Sequence, residues 1–324
     1  LLRWCHQRAQ HRRGAATDII RRIMSTASLS APSFRAMNTE VTLLTPGGTP
    51  DTERALATVR EVFEGVERCL SRFQPDSELS ALNRSAGRPF QASPLLFRAV
   101  SLALAAAEST NGLFDPTVLR ALQAAGYDRS FELIESHPAV TATAVLPNYK
   151  DVVCNPAFSV IRVPPDRQLD LGGIGKGLAV DLAIEATEFL GDRCINAGGD
   201  IAARGHSASN RGWNIALEDG GANAFPVVEV CDGALATSTT TKRRWSSGGR
   251  AAHHLIDPRT GLPSTSLFRT VTVVAASCVQ ADVAAKTALL MGEPGLDFVE
   301  SLGMHAFAVR QDGTTAQTAG WPVR

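Results

Sequence analysis

The chain has 324 residues, of which 44% are hydrophobic and 20% are charged. This length and apolar content can bury a full core, so they predict a globular protein with one large domain or two closely joined ones. The 32 basic residues equal the 32 acidic residues, which excludes a global charge that would favour nucleic acid or an anionic membrane as partner. No apolar stretch reaches the ~18 residues that a spanning helix needs, so we do not expect an integral membrane protein.

Residues 1–33 carry six arginines against a single acid, Asp18. We predict a basic, disordered leader here. It lacks the continuous apolar segment of a secretory signal, and Cys5 has no apolar run before it that would indicate a lipoprotein site. The composition also fits an organelle transit peptide, and Met24 is an alternative start. Without a clear export signal we expect a cytoplasmic protein, with a folded domain over residues 34–324.

The first third of the chain predicts one strand followed by three helices. Residues 34–44 favour the strand, and apolar positions at helical spacing predict a helix from Asp51 to Leu70. A short helix should begin at Asp76 or Ser77 and end at Asn83. The third helix, from about Pro94 to Ser109, is rich in Ala and Leu and should be buried on most sides.

The remaining chain predicts strands that cluster. Residues 130–167 give weak signals, and we place no site there. From Leu169 to Gly177 the sequence predicts a strand, a glycine turn and a helix. A further helix should hold Asp282 in its first turn. Short strands are predicted at residues 194–197, 213–217, 227–230 and 269–276. Such clustering indicates an α+β fold, with mixed and antiparallel sheets flanked by helices.

The glycine segment around Lys176 resembles a phosphate loop without meeting its requirements. Gly177 follows Lys176 where a Walker A loop needs Ser or Thr, and the segment does not complete GxGxxG. Backbone N–H groups at a helix start, with Lys176 beside them, can still hold phosphate oxygens. A plain tight turn is the alternative.

Other segments allow both a structural and a functional interpretation. Residues 196–200 fit a hairpin turn that needs glycine dihedrals. The hydroxyls of residues 236–241 fit either a solvated loop or contacts to phosphate or flavin. His253 and His254 are surface residues, metal ligands or an acid–base group. Asp282 is either a helix-start acid or a metal ligand.

Taken in chain order, eight segments resemble the ApbE family, the FAD:protein FMN transferases. They cover roughly residues 34–310, and eight motifs in the family's order are far more specific than any one of them. The resemblance implies an α+β, T-fold-like domain that binds FAD and transfers its FMN part to a Ser or Thr hydroxyl of an acceptor protein, releasing AMP. The segments are 37–41, 71–83, 114–117, 169–181, 196–200, 236–238, 254–261 and 281–292.

The resemblance also implies roles for particular residues, with Mg²⁺ as cofactor. Gly173 would offer a backbone carbonyl to the metal ion, and Asp282 a carboxylate. His254 and Asp257 are candidates for proton transfer or orientation. The implied FAD contacts are Met37, Phe73, Leu113, Phe114, Asp115, Asp170, Lys176, Ser238 and Ile256.

Lys286 departs from the family pattern, in which a Thr four residues beyond the carboxylate commonly ligates the metal ion. Positions i and i+4 share a helix face, so Lys286 should point to the same place as Asp282. We hypothesise that its ammonium pairs with Asp282 or the diphosphate and partly replaces the charge of the metal ion, which predicts a weaker Mg²⁺ dependence. Alternatively, Lys286 turns away and Thr287 or water completes the metal shell.

Three other functions remain open. In an FAD pyrophosphatase, water would replace the acceptor hydroxyl and free FMN would leave. A flavin-binding protein without turnover would leave FAD unchanged. Self-modification at Thr237 is a minor alternative, because residues 232–237 loosely resemble an acceptor motif. No pattern in the sequence identifies the acceptor protein or the oligomeric state.

Overall fold

The computed structural model describes residues 29–48, 50–131, 134, 145–207, 211–217, 219, 226–247 and 250–322. Most of the predicted leader lies outside these ranges. Leu29 and Ser30, which the sequence assigns to the leader, form a strand that pairs with Pro46 and Thr45. The folded domain therefore begins before Phe34. Among the described helices, none is long and apolar enough to cross a membrane.

Helices and strands alternate irregularly along the described chain. Its helices are α1 (Pro50–Leu70), α2 (Glu78–Asn83), α3 (Pro94–Ser109), α4 (Leu119–Ala124), α5 (Gly175–Ala186), α6 (Cys278–Met291) and α7 (Pro294–Ser301). Its strands are β1 (Leu29–Ser30), β2 (Ser33–Ala36), β3 (Thr39–Pro46), β4 (Phe90–Gln91), β5 (Val153–Asn155), β6 (Val160–Arg162), β7 (Arg193–Ala197), β8 (Asp200–Arg204), β9 (Trp213–Ala216), β10 (Val227–Val230), β11 (Gly233–Thr239), β12 (Arg244–Ser247), β13 (Arg250–His253), β14 (Ile256–Asp257), β15 (Leu262–Pro263), β16 (Phe268–Ala275), β17 (His305–Arg310) and β18 (Thr315–Gln317).

The first helices follow local sequence rules. The hydroxyl of Ser77 accepts a hydrogen bond from the backbone N–H of Ser80 and caps α2. Ser93 caps α3 in the same way, and Pro94 occupies its first position, where a missing N–H costs nothing. The predicted bounds of these helices are confirmed because the signals that set them are local.

A large antiparallel sheet forms the centre of the fold, in the order β1-β3-β7-β8-β11-β16-β17-β18, with β2 also paired to β3. Helix α5 packs on β7 and β8, and α6 packs on β11 and β16. Elsewhere the sheet is covered by the β9–β10 hairpin, which contributes Trp213, Val228 and Val230 to a second apolar cluster with Ile201 and Leu235. The predicted α+β class is confirmed.

The predicted single strand over residues 34–44 is wrong, because β2 and β3 form a hairpin. Ala36 pairs with Thr39, which leaves Met37 and Asn38 as a two-residue turn with φ of 48° and 62°. Positive φ at both central residues is the type I′ geometry that suits the twist of a hairpin. A methionine rarely adopts this conformation, so its sequence gave no turn signal.

Two other local predictions were also wrong. Leu169 and Asp170 belong to no strand. The backbone N–H of Leu169 donates to Oδ1 of Asn83 at 2.7 Å, and Nδ2 of Asn83 donates to the carbonyl of Leu169 at 2.9 Å. The N–H of Asp170 donates to the carbonyl of Pro116 at 2.8 Å. Ser277 caps α6, so Asp282 lies in the second turn of the helix, beyond its first four residues. The side chain of Asp282 is buried.

Candidate functional site

A cavity of about 1600 Å³ lies beside helix α6. Three turns also line it: the β2–β3 turn at Met37 and Asn38, the β7–β8 turn at Gly198 and Gly199, and the glycine turn at Gly172 and Gly173. All but one of the residues predicted for the site line it, and the exception is Asp257. These lining residues are Met37, Phe73, Leu113, Phe114, Asp115, Asp170, Gly173, Lys176, Ser238, His254, Ile256, Asp282 and Lys286. Residues far apart in the sequence therefore share one chamber.

One side of the cavity is aromatic. Phe73 follows α1 and is 38% exposed, so its ring is available to a ligand. The guanidinium of Arg72 lies 4.1 Å from the centroid of Phe73 and 4.6 Å from that of Tyr127. Tyr127 in turn packs on Trp245, with centroids 5.6 Å apart. Such a wall can stack a planar heterocycle.

Asp115 shapes the loop that carries Leu113 and Phe114. One carboxylate oxygen accepts hydrogen bonds from the backbone N–H and the hydroxyl of Thr117, at 2.7 and 2.6 Å, and the other accepts from the N–H of Tyr149 at 3.0 Å. Burial raises the pKa of this carboxyl, although these donors oppose the shift. Asp115 lies on the cavity wall mainly as a support for its neighbours.

Lys176 begins the opposite, polar side of the cavity. It stands in the first turn of α5, and its ammonium pairs with the carboxylate of Asp200. Asp200 follows the predicted glycine hairpin turn, in which Gly198 and Gly199 have φ of 67° and 101°. Burial lowers the pKa of Lys176, and the nearby carboxylate of Asp282 only partly opposes this shift. The cation is therefore held next to the cavity by the neighbouring hairpin.

Lys286 and Asp282 face the cavity from the same side of α6. The ammonium of Lys286 donates a hydrogen bond to the carbonyl of Gly173 at 3.0 Å, and it lies 3.6 Å from Oδ1 of Asp282. The ring centroid of Phe114 is 5.5 Å from the same ammonium. Oδ2 of Asp282 is buried, and it has no hydrogen-bond partner within the described ranges. The predicted proximity of Lys286 to Asp282 is confirmed.

The two adjacent histidines have different environments. His253 is fixed by the backbone: Nε2 is 2.9 Å from the carbonyl oxygen of Ser264, and Nδ1 accepts from the N–H of Leu255 at 3.3 Å. His254 lines the cavity, and its buried Nδ1 has no partner in the described part of the chain. Burial lowers the pKa of His254 well below its ordinary value, and the charge of Arg243 lowers it further.

Asp257 does not line the cavity. Nε and Nη2 of Arg259 approach its carboxylate at 2.9 and 2.6 Å, and its backbone carbonyl accepts from the N–H groups of Thr260 and Gly261. Burial raises the pKa of this carboxyl, but the hydrogen bonds from Arg259 outweigh that effect and leave the pKa lowered. Of its two predicted roles, this geometry favours orientation, because the neighbouring Ile256 and Pro258 do reach the cavity.

Sequence reasoning missed several lining residues. Arg72 and Tyr127 are 55 positions apart in the sequence, yet Nη2 of Arg72 donates a hydrogen bond to the carbonyl of Tyr127 at 2.9 Å. Asp200 was seen only as part of a turn, and Arg243 follows a row of hydroxyls whose strand is central to the sheet. Arg72 and Asp200 lie inside the matched segments 71–83 and 196–200, but the pattern gave them no role, because only the fold brings them to Tyr127 and Lys176.

Comparison with known proteins places these observations in a family. The model of the ApbE family matches residues 37–308. An FAD:protein FMN transferase of Chlamydia trachomatis is 30% identical over 248 residues, which cover 72% of this chain and 74% of the relative. One from Rhodobacter capsulatus is 32% identical over 257 residues, covering 76% of this chain and 48% of the relative.

Solved structures agree with the fold. The ApbE protein of Thermotoga maritima superposes with a TM-score of 0.82 at 23% identity, covering 90% of this chain and 97% of that one. The flavin transferase ApbE of Vibrio cholerae gives a TM-score of 0.78 at 24% identity, covering 91% and 98%. At these identities the likeness confirms the fold.

Proposed function

The chain belongs to the ApbE family, and from this we propose that its cavity holds FAD while the FMN part is transferred to a hydroxyl of an acceptor protein. The chain is thus an enzyme, an FAD:protein FMN transferase, as its relatives are named. One observation supports this site above all: the same cavity has an aromatic wall at Phe73 and a cationic wall at Lys176 and Lys286.

The size of the cavity supports this substrate. Pockets for drug-sized ligands measure roughly 300–1,000 Å³. The volume of about 1600 Å³ exceeds that range, which leaves room for a dinucleotide together with a segment of the acceptor. We place the flavin against Phe73 and Met37, and the diphosphate towards Lys176 and Lys286. This orientation matches the apolar part of FAD to the apolar wall.

His254 is the proposed proton acceptor. The oxygen of the acceptor hydroxyl attacks the phosphorus of the FMN part, the bond from that phosphorus to the bridging oxygen breaks, and AMP leaves with the electron pair. The hydroxyl proton must move to a base. Burial lowers the pKa of His254 well below its ordinary value, so its imidazole is neutral near pH 7. In the tautomer that carries the ring hydrogen on Nε2, the unpartnered Nδ1 can accept the proton.

A Mg²⁺ ion, which the resemblance implies, does not fit the arrangement of these side chains. The carbonyl of Gly173 and the carboxylate of Asp282 are oxygen ligands of the kind that Mg²⁺ prefers. However, the ammonium of Lys286 already contacts both of them, at 3.0 and 3.6 Å. We therefore derive no step through a metal ion.

Self-modification at Thr237 has little structural support. Thr237 is paired with Thr272 in the middle of the β11–β16 ladder, and the two hydroxyls are 2.9 Å apart. Thr237 does line the cavity, but its hydroxyl is engaged with that of Thr272, and the β11–β16 ladder fixes its backbone in place. An external acceptor is therefore favoured, and we propose that it carries the Ser or Thr in a flexible segment.

The test is mass spectrometry of an acceptor protein incubated with this enzyme and FAD. Transfer predicts the added mass of FMN on one Ser or Thr, with release of an equal amount of AMP. An acceptor lacking that hydroxyl serves as the control. Free FMN with an unmodified acceptor would instead identify an FAD pyrophosphatase, and unchanged FAD would identify a binding protein without turnover.

A further inference from the structure

Three groups of the cavity wall converge on the ammonium of Lys286. The carbonyl of Gly173 accepts a hydrogen bond from it, the carboxylate of Asp282 lies 3.6 Å away, and the centroid of Phe114 is 5.5 Å away. The last distance is within the ~6 Å range of a cation–π contact. A carbonyl dipole, an anion and a ring face all favour a positive charge at this point.

The surrounding backbone leaves just enough space for this ammonium. A Cβ added at Gly173 would lie 2.6 Å from Nζ of Lys286 and 2.9 Å from Cε2 of Phe114, so a larger residue would push one of them away. The side chain of Lys286 is 18% exposed and that of Asp282 is 8% exposed. The pair is thus nearly dry, which strengthens its electrostatic interactions.

The ammonium can still reach a ligand in the cavity. Lysine has three N–H donors, of which one is used on the carbonyl of Gly173, while Asp282 at 3.6 Å is an ion-pair partner beyond hydrogen-bond distance. A donor is therefore left for a phosphate oxygen. Because Lys286 lines the cavity together with Lys176 and His254, that oxygen could belong to the diphosphate of a bound dinucleotide.

We infer that the ammonium of Lys286 is a built-in cation that stabilises the transition state of FMN transfer in place of a divalent metal ion. The inference rests on the proposed function. As the new oxygen–phosphorus bond forms and the bond to the bridging oxygen breaks, negative charge grows on the phosphoryl oxygens and on the departing AMP. A fixed cation in a dry site stabilises such charge without reorganisation. Asp282 is then the positioning residue that holds the ammonium.

The arrangement works against a metal ion at the same place. An ion bound to Gly173 and Asp282 would share their oxygens with Lys286, and the two positive charges would repel each other at short range. Oδ2 of Asp282 is buried and has no hydrogen-bond partner among the described residues, so it is the oxygen that a metal ion could still bind. Metal binding must therefore be measured directly, apart from catalysis.

The first experiment measures FMN transfer to an acceptor, by mass, in Mg²⁺ and in EDTA. We expect the same initial rate for the wild type in both. Lys286→Met should be slower by about 10²–10³-fold in both, as for loss of one oxyanion donor. Lys286→Thr should be inactive in EDTA and partly restored by Mg²⁺. Lys150→Thr, which removes an exposed lysine outside the cavity, is the matched control.

The second experiment measures Mn²⁺ binding by electron paramagnetic resonance in the presence of FAD and without an acceptor. We expect no stoichiometric site in the wild type and one site in Lys286→Thr. Stoichiometric binding by the wild type, or a wild-type rate abolished by EDTA, would overturn the inference. If no protein transfers FMN under any condition, the proposed function fails, while the Mn²⁺ measurement still decides whether Lys286 occupies the cation position.

Discussion

Arg72 and Asp170 form a buried ion pair that joins the loop after α1 to the glycine turn. Nε of Arg72 lies 2.6 Å from Oδ2 of Asp170, and the side chains are only 6% and 12% exposed. The guanidinium also stacks between Phe73 and Tyr127, while Asp170 accepts the N–H of Gly172 at 2.8 Å. One contact therefore holds the aromatic wall of the cavity against the turn that precedes Lys176.

Breaking this pair should destabilise the fold. Arg72→Met or Asp170→Leu alone leaves a buried charge without its partner, which costs about 3–5 kcal/mol. The double variant removes both charges and should cost less than the sum of the two single variants. Urea unfolding followed by circular dichroism gives the three free energies. Additive costs would show that the two side chains act independently of each other.

The space at Gly173 gives a second prediction. Gly173→Ala should cost about 1–3 kcal/mol of stability, as overpacking does, and should slow FMN transfer because the added Cβ displaces the ammonium of Lys286 or the ring of Phe114. Gly65→Ala is the matched control. Gly65 lies inside α1 with its nearest obstacle 4.0 Å away, so this change should stabilise the protein by about 0.5–1 kcal/mol. Wild-type activity in Gly173→Ala would contradict the importance of the ammonium position.

The sequence could predict those parts of the fold and site that depend on neighbouring residues. Ser77 and Ser93 set the starts of α2 and α3, and two glycines set the turn before Asp200. Within the motifs of the family resemblance, most predicted residues do line one cavity. Spacing on a helix was enough to bring Lys286 beside Asp282, because i and i+4 share a face.

The rest depends on contacts that no local pattern contains. Trp245 donates its indole N–H to the carbonyl of Ala125, 120 positions away, and so supports Tyr127 in the aromatic wall. The turn at Met37 uses a conformation that its residue type disfavours, and the β2–β3 ladder on either side closes it. Asp257 looks like a site residue by position, but its carboxylate is bound by Arg259.

The protonation of His254 gives a third prediction. Its pKa is lowered by burial from an ordinary value of 6.5, so below that pH the unfolded chain binds a proton that the folded chain does not. Stability from this group is therefore present above pH 6.5 and is lost as the pH falls. His254→Gln should flatten the fall of the melting temperature between about pH 7 and 5.

His253 supplies the control for the same prediction. Burial also lowers its pKa, but its ring is bonded to Ser264 and Leu255 rather than facing the cavity. His253→Gln should therefore change the pH dependence of stability while keeping FMN transfer. His254→Gln should slow transfer by about 10²–10⁴-fold, as expected for loss of a general base. Equal losses in the two variants would argue against His254 as the base.

Substitutions at Asp257 can distinguish a role in orienting the turn from a role in proton transfer. Hydrogen bonds from Arg259 occupy the carboxylate of Asp257 and keep its pKa low, and Asp257 does not line the cavity. Asp257→Asn retains an acceptor for the N–H of Arg259, so we expect transfer close to the wild-type rate. The side chain of Arg259 is 60% exposed, and Arg259→Met should cost only about 0–1 kcal/mol.

The decisive comparison is the rate of FMN transfer in Asp257→Asn, Arg259→Met and His254→Gln, each measured across the pH range in which the wild type is folded. If Asp257 only holds the turn, Asp257→Asn and Arg259→Met should each reduce the transfer rate slightly and to a similar extent. Both changes weaken the contact that orients Ile256 and Pro258 towards the cavity. A loss in Asp257→Asn as large as that in His254→Gln, with Arg259→Met unaffected, would make Asp257 the proton acceptor. In that case its carboxylate must leave Arg259 when the substrate binds.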